Sequence, residues 1–217
     1  MVSENSSPLP EASCIEAVSN PAIDHWSHIR CGSYTSEWVA QAVGIKAAPS
    51  NRILRGPIWF DLFRPVTPGD MRRLFKARGM ETIEMRLAGL SDAERLHWIK
   101  NEIATKKRPP VILTRAKTLH WLAVGGYDDR KKIFYIYDSR VGGDSFNINL
   151  PIGNVEMPYD EVLKTWQGRF GMNYVALAVT NVQVRDLKKE KVEAILQAYA
   201  RGDLVEKSDF LKNEEKT

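Results

Sequence analysis

Residues 119–139 read LHWLAVGGYDDRKKIFYIYDS, two runs of β-branched and aromatic residues separated by a polar turn. Side chains of that kind fit a pleated, half-buried surface, so the segment predicts a β-hairpin. The runs PPVILT, SFNINL and NYVALAVTNV share its grammar. From Pro109 onward the chain therefore predicts a mainly antiparallel sheet, with PYDEVLKTW as a short helix before the last strand.

Ahead of Pro109 the apolar spacing is helical. Trp38, Val39, Ala42 and Val43 place a helix from about Gly32 to Val43. Thr67 can cap a second helix, with Pro68 suited to its first turn and Asp70 to the positive end of its dipole. Ser91 to Glu94 form a capping box for a third, with Leu96, Ile99 and Ile103 on one face. Helices followed by strands make an α+β protein. Residues 46–66 mix apolar side chains with Pro and Gly and predict a long ordered loop or short helices over the core. Residues 186–200 predict an amphipathic helix, with Leu187, Val192, Ile195, Leu196 and Tyr199 in one stripe and Gly202 as its stop. That stripe can pack on the body or meet another copy. The expected organisation is a flexible arm at 1–20, one domain at 21–182, and an amphipathic helix with a charged tail at 183–217.

The 217-residue length allows a real core, and 43% hydrophobic with 27% charged residues is ordinary for a soluble globular chain. No apolar run approaches the roughly 20 residues of a membrane helix. The first residues lack a basic stretch followed by an apolar one, so no signal peptide is expected. The expected compartment is the cytoplasm, with export by a non-classical route left open. A net charge of +4 invites nucleic acid as a partner, but the basic residues are dispersed among acids, as in RDLKKEKVE. No nucleic-acid partner is expected. Two cysteines, Cys14 and Cys31, make no disulfide framework.

Cys31 opens the first helix, where unpaired backbone N–H groups and the helix dipole favour a thiolate. Of the four histidines, His97 lies on a predicted helix, His25 and His28 precede the cysteine, and His120 stands near the start of the hairpin. A hairpin turn centred on Asp129 places His120 directly opposite Asp138 on the same face, near enough for a carboxylate to orient an imidazole. A one-residue slip would separate them. Leu122 and Val124 share the histidine's face, and Phe134 and Ile136 that of the aspartate. Cys31, His120 and Asp138 are thus candidates for nucleophile, base and orienting acid. Each also has a plainer reading: a buried structural thiol, a satisfied strand histidine, a strand-ending aspartate. Trp121 and Trp166 are packing residues or line a cleft. Cys31 and His120 lack the paired spacing of a zinc site, so no metal is expected.

CGSYTSEWVAQAVG, RPPVILT, LHWLAVGGYDDRKKIFYIYDS and MPYDEVLKTW, in that order, resemble the papain-like cysteine peptidases. Within them the likeness is to the bacterial branch of bacteriocin-processing, double-glycine-leader peptidases and their stand-alone relatives, and it covers about residues 22–180. The resemblance implies a nucleophile helix packed on an antiparallel sheet, with Cys31 as nucleophile, His120 as general base and acid, and Asp138 orienting His120. It implies hydrolysis of an amide bond in a peptide, protein or other acyl substrate through an acyl-enzyme, without a cofactor. The family's oxyanion-hole glutamine precedes its cysteine by six residues, and His25 stands there in this chain. Asp138-Ser139 replaces the common Asp-Pro. Gly32 and Trp121 would lie along the cleft. The same three residues could serve an acyltransferase, peptide ligase or transglutaminase-like enzyme, and a non-catalytic peptide-binding module on this scaffold is a further alternative. The sequence leaves oligomeric state open.

Overall fold

Thr67 and Ser91 start their helices through the side-chain chemistry expected of them. In the computed structural model, which describes residues 8–16, 18–21, 31–45, 66–115, 119–141, 149–167 and 172–182, Thr67 Oγ1 accepts from the Asp70 N–H and the Asp70 carboxylate accepts from the Thr67 N–H. Ser91 and Glu94 exchange the same pair of bonds. These reciprocal caps satisfy donors that a helix start otherwise leaves bare. The described helices are α1 (Cys31–Ala42), α2 (Pro68–Ala77), α3 (Asp92–Ala104) and α4 (Tyr159–Thr165). The last is the expected short helix, and it ends at Trp166, whose indole N–H donates to the Val175 carbonyl at 2.8 Å.

The strands are β1 (Ala12–Cys14), β2 (Met80–Arg86), β3 (Val111–Arg115), β4 (Leu119–Asp128), β5 (Ile133–Tyr137), β6 (Val155–Pro158) and β7 (Val175–Val182). They form one sheet in the order β2-β7-β3-β4-β5-β6, with β1 added to β4, and every pairing is antiparallel. Helices and antiparallel strands combine as an α+β fold. Two strands depart from the sequence reading. Met80–Arg86, where the sequence pattern predicts no strand, forms an edge strand on β7. Within the supposed flexible arm, Ala12–Cys14 pair with Asp128, Tyr127 and Gly126 of β4. The Tyr127 hydroxyl donates to the Pro10 carbonyl and the Asp129 N–H to that of Glu11 before the strand, and the Ile15 N–H donates to the Gly125 carbonyl after it, so the segment is held at both ends. SFNINL lies mostly outside the described residues, and the strand seen beside β5 is the later Val155–Pro158. The loop at 46–65, the 186–200 helix and the charged tail also lie outside them.

The β4–β5 hairpin corrects the expected register. Its turn spans residues 129–132, fastened by the Asp128 carboxylate accepting from the Arg130 and Lys131 N–H groups, with Lys132 at φ 55°. Asp128 consequently faces Ile133. Continued unbroken, that register would put His120 and Asp138 on opposite faces. A β-bulge between Val124 and Gly126 shifts it by one residue, so that Val124 faces Ile136 and Ala123 faces Tyr137. Asp138 then lies beside Leu122, two residues from His120 and on its face, a diagonal pair within reach of a long side chain.

Helix α1 crosses this bulge, packing on β4 and α2. Trp38 stacks on Tyr137 with ring planes 6° apart, and a Cβ on Gly125 would come within 2.7 Å of the Trp38 ring. The missing side chain lets the helix sit close to the sheet. Trp38, Phe75, Ile99, Ile103, Trp121 and Trp166 are fully buried. Among the described residues no helix is long and apolar enough to cross a membrane.

Candidate active site

Cys31 is the first residue of α1 and is buried. That position lies at the positive end of the helix dipole, which favours an anion. Gly32 behind it is tightly enclosed, since a Cβ there would meet Val66 Cγ1 at 3.0 Å and Leu74 Cδ1 at 3.2 Å. Trp121 is fully buried and its indole N–H donates to the Val66 carbonyl at 2.8 Å. Gly32 and Trp121 thus pack around the start of the helix. Thr35 donates its hydroxyl to the Trp121 carbonyl at 3.1 Å, tying α1 to the strand one residue from His120.

His120, 1% exposed, lies between two partners. Nε2 donates to Asp138 Oδ1 at 2.7 Å, and the Cys31 side chain forms the other hydrogen bond. With Nε2 taken, the ring nitrogen left for sulfur is Nδ1. Burial by itself favours the neutral ring. The Cys31 charge and the Asp138 hydrogen bond, reinforced by the Cys31 hydrogen bond and the Asp138 charge, outweigh it and raise the imidazole pKa.

Asp138 is buried too, and desolvation works to keep it protonated. Its hydrogen bond and charge interaction with His120, followed by those with Arg140, hold the carboxyl below the usual range instead. Arg140 Nη2 donates to Oδ2 at 2.9 Å, its Nε to Oδ1 at 3.3 Å, and its backbone N–H to Oδ1 at 2.8 Å. Asn154 clamps the backbone: its Oδ1 accepts from the Asp138 N–H and its Nδ2 donates to the Asp138 carbonyl, both at 2.8 Å, and to that of Val141 at 2.9 Å. Neither Arg140 nor Asn154 stands out in the sequence. Arg140 has a local signal, a cation two residues beyond a strand-ending aspartate, whereas Asn154 is 16 residues away.

A polar layer supports α1 from behind. Buried Arg78, just after α2, donates from Nε to Ser36 Oγ at 2.9 Å and from Nη2 to the Ser33 carbonyl at 3.3 Å. Burial pulls its pKa down to about 10, with the Glu37 charge opposing the fall. On the other flank, Asn20 accepts from the Trp38 indole and donates to the Gly153 carbonyl, each at 2.9 Å. The helix bearing Cys31 and the segment bearing Asn154 are thereby joined.

The structure brings Cys31, His120 and Asp138 together. His25 and His28 lie outside the described residues, and His97 is on α3. Among the described residues no group of three or more His, Cys, Asp or Glu side chains is placed to hold a metal ion.

No protein-family model matches the chain, and no curated protein matches it. Among solved structures, the chain is similar to a double glycine motif protease from an AMS/PCAT transporter, determined in complex with the leader peptide. The identity is 15% and the TM-score 0.42, with 77% of this chain and 93% of that one covered.

Proposed function

We propose that this chain is a papain-like thiol hydrolase that cleaves an amide bond through an acyl-enzyme on Cys31. The observation that carries this reading is a completely buried imidazole hydrogen-bonded to a carboxylate on one side and to a helix-N-terminal thiol on the other. Burying three ionisable groups is costly unless each is partnered, and here the partnering links a nucleophile, a base and the residue that orients the base. Cys31 Sγ adds to the carbonyl carbon while its proton resides on His120. The Cys31 backbone N–H, at the positive end of α1, donates to the developing oxyanion. His120 then protonates the leaving amine, takes a proton from water, and the resulting hydroxide releases the acid. Asp138 keeps Nε2 protonated throughout, so that Nδ1 is the nitrogen that exchanges protons. His25 is proposed as a second oxyanion donor. The substrate class is a peptide or protein amide.

The test is the ionisation of Cys31 against pH. In a Cys14→Ala background, iodoacetamide should label Cys31 at pH 6 at least about tenfold faster than an ordinary thiol, whose pKa is about 8.5. His120→Ala should abolish the advantage. Thiolate ultraviolet absorbance, with Cys31→Ala as blank, reads the same ionisation without requiring reagent to reach a buried sulfur. Thiolate that forms only near pH 8.5 regardless of His120 would overturn the catalytic reading in favour of a binding module. An activated thiol justifies a screen of fluorogenic peptidyl amides, with Cys31→Ala as the inactive control.

A further inference from the structure

Asp138 has more charge-bearing partners than orientation alone demands. Oδ1 accepts from His120 Nε2 and from the Arg140 N–H, while Oδ2 accepts from the Arg140 guanidinium at 2.9 Å. The neutral Asn154 already fixes the backbone of Asp138 on both sides. A cation is unnecessary for placement, and its distinct contribution is charge. From the geometry we infer that Arg140 acts electrostatically through Asp138 to moderate the basicity of His120. This inference rests on the proposed reading of the Cys31 site and deepens it.

A carboxylate shared with a guanidinium puts less negative charge at the disposal of the imidazolium, and the guanidinium itself repels that imidazolium across the shared carboxylate. Both effects make His120 a better proton donor to a leaving amine than it would be beside Asp138 alone. Among the described residues, the titratable and charged groups that act on His120 are Cys31 from α1 and Asp138 from the end of β5. Those that act on Asp138 are His120 and Arg140. Behind them Tyr137 faces Glu37, Tyr34 and Asp138, and burial holds its hydroxyl neutral. Among the described residues Arg140 is therefore the cation, besides the imidazolium, in this group. Its side chain is 29% exposed, which screens the effect and leaves the residue replaceable.

The experiment follows the His120 ring by NMR from pH 5 to 10 in the full chain, with the resonance assigned by its loss in His120→Ala. Arg140→Met should raise the midpoint for proton loss from His120 by about 0.5 unit or more. Arg140→Lys, which keeps the charge, should stay within about 0.2 unit of the parent. Should Arg140→Met not fold, Arg140→Gln supplies a neutral side chain that still donates, and the same upward shift is expected. A neutral variant that titrates with the parent, or a lysine variant that shifts as far as the neutral one, would overturn the inference. Its failure is separable from failure of the function reading, which is decided by Cys31 ionisation in the parent chain.

Discussion

Replacing Asp138 by Ala is expected to lower kcat/KM on a peptidyl amide about 10³-fold while leaving the chain folded. The variant removes the carboxylate that accepts from His120 Nε2 at 2.7 Å, so the ring loses both its orientation and the bias that leaves Nδ1 free to exchange protons with sulfur. Asp138→Asn should fall between the parent and the alanine variant, because an amide cannot satisfy both neighbours. With its oxygen toward His120, its NH2 opposes the Arg140 guanidinium; with the amide reversed, its NH2 opposes Nε2–H and the Arg140 N–H. The double variant Asp138→Asn, Arg140→Met removes the first conflict and should recover part of the lost rate. A steady-state comparison of the four chains checks this, and equal activity in all of them would exclude Asp138 from the mechanism. Stability should respond as well. The raised His120 pKa stabilises the fold fully below about pH 6.5 and is lost as pH rises through the folded value; the depressed Asp138 pKa stabilises it above about pH 3.9 and is lost as pH falls through the folded value. Urea titrations across pH should therefore show less slope on both sides in Asp138→Ala.

The site was legible where its chemistry is local. The Thr67 and Ser91 caps follow from side chains acting on backbone three residues away, Cys31 at a helix start and the short helix ending at Trp166 from the local sequence pattern, and each element is found where the sequence puts it. The His120–Asp138 pair was legible for a subtler reason. Its expected register was wrong at the turn, which is centred later than Asp129, yet facing depends only on parity, and the bulge at Gly125–Gly126 restores it. Neighbouring contacts explain why that bulge is glycine: a Cβ at 125 would strike Trp38, and one at 126 would lie 2.5 Å from Cys14 Sγ. Both clashes involve chain segments that the hairpin sequence does not mention. Strand β2 was missed on the same principle. METIEMR carries exposed Glu81, Ile83 and Arg86 and is extended because β7, about 95 residues later, supplies its hydrogen bonds. Arg140 has only its place two residues beyond Asp138 as a signal and Asn154 has none, because their bonds to Asp138 are set by the tertiary fold.

Gly153→Ala is expected to be the most destabilising single-methyl change near the site, at about 3 kcal/mol or more. Gly153 has φ +74°, and a Cβ there would lie 2.4 Å from the Ile136 carbonyl oxygen and 2.6 Å from its carbon. Those are backbone atoms of β5, which cannot swing aside as a side-chain tip can. The displaced segment would carry with it the Asn154 N–H bond to that same carbonyl, the Asn154 clamp on Asp138, and the Gly153 carbonyl that accepts from Asn20. Gly44 is the internal control: it has φ +79°, but a Cβ there would meet nothing within 4 Å, so Gly44→Ala should cost only the left-handed strain of about 1 kcal/mol. Urea unfolding of the two variants separates backbone collision from backbone strain, and equal losses would mean that the 153 segment does not press on β5 as described. Where Gly153→Ala remains folded, Cys31 ionisation should also shift, because the clamp that places Asp138, and through it His120, has moved.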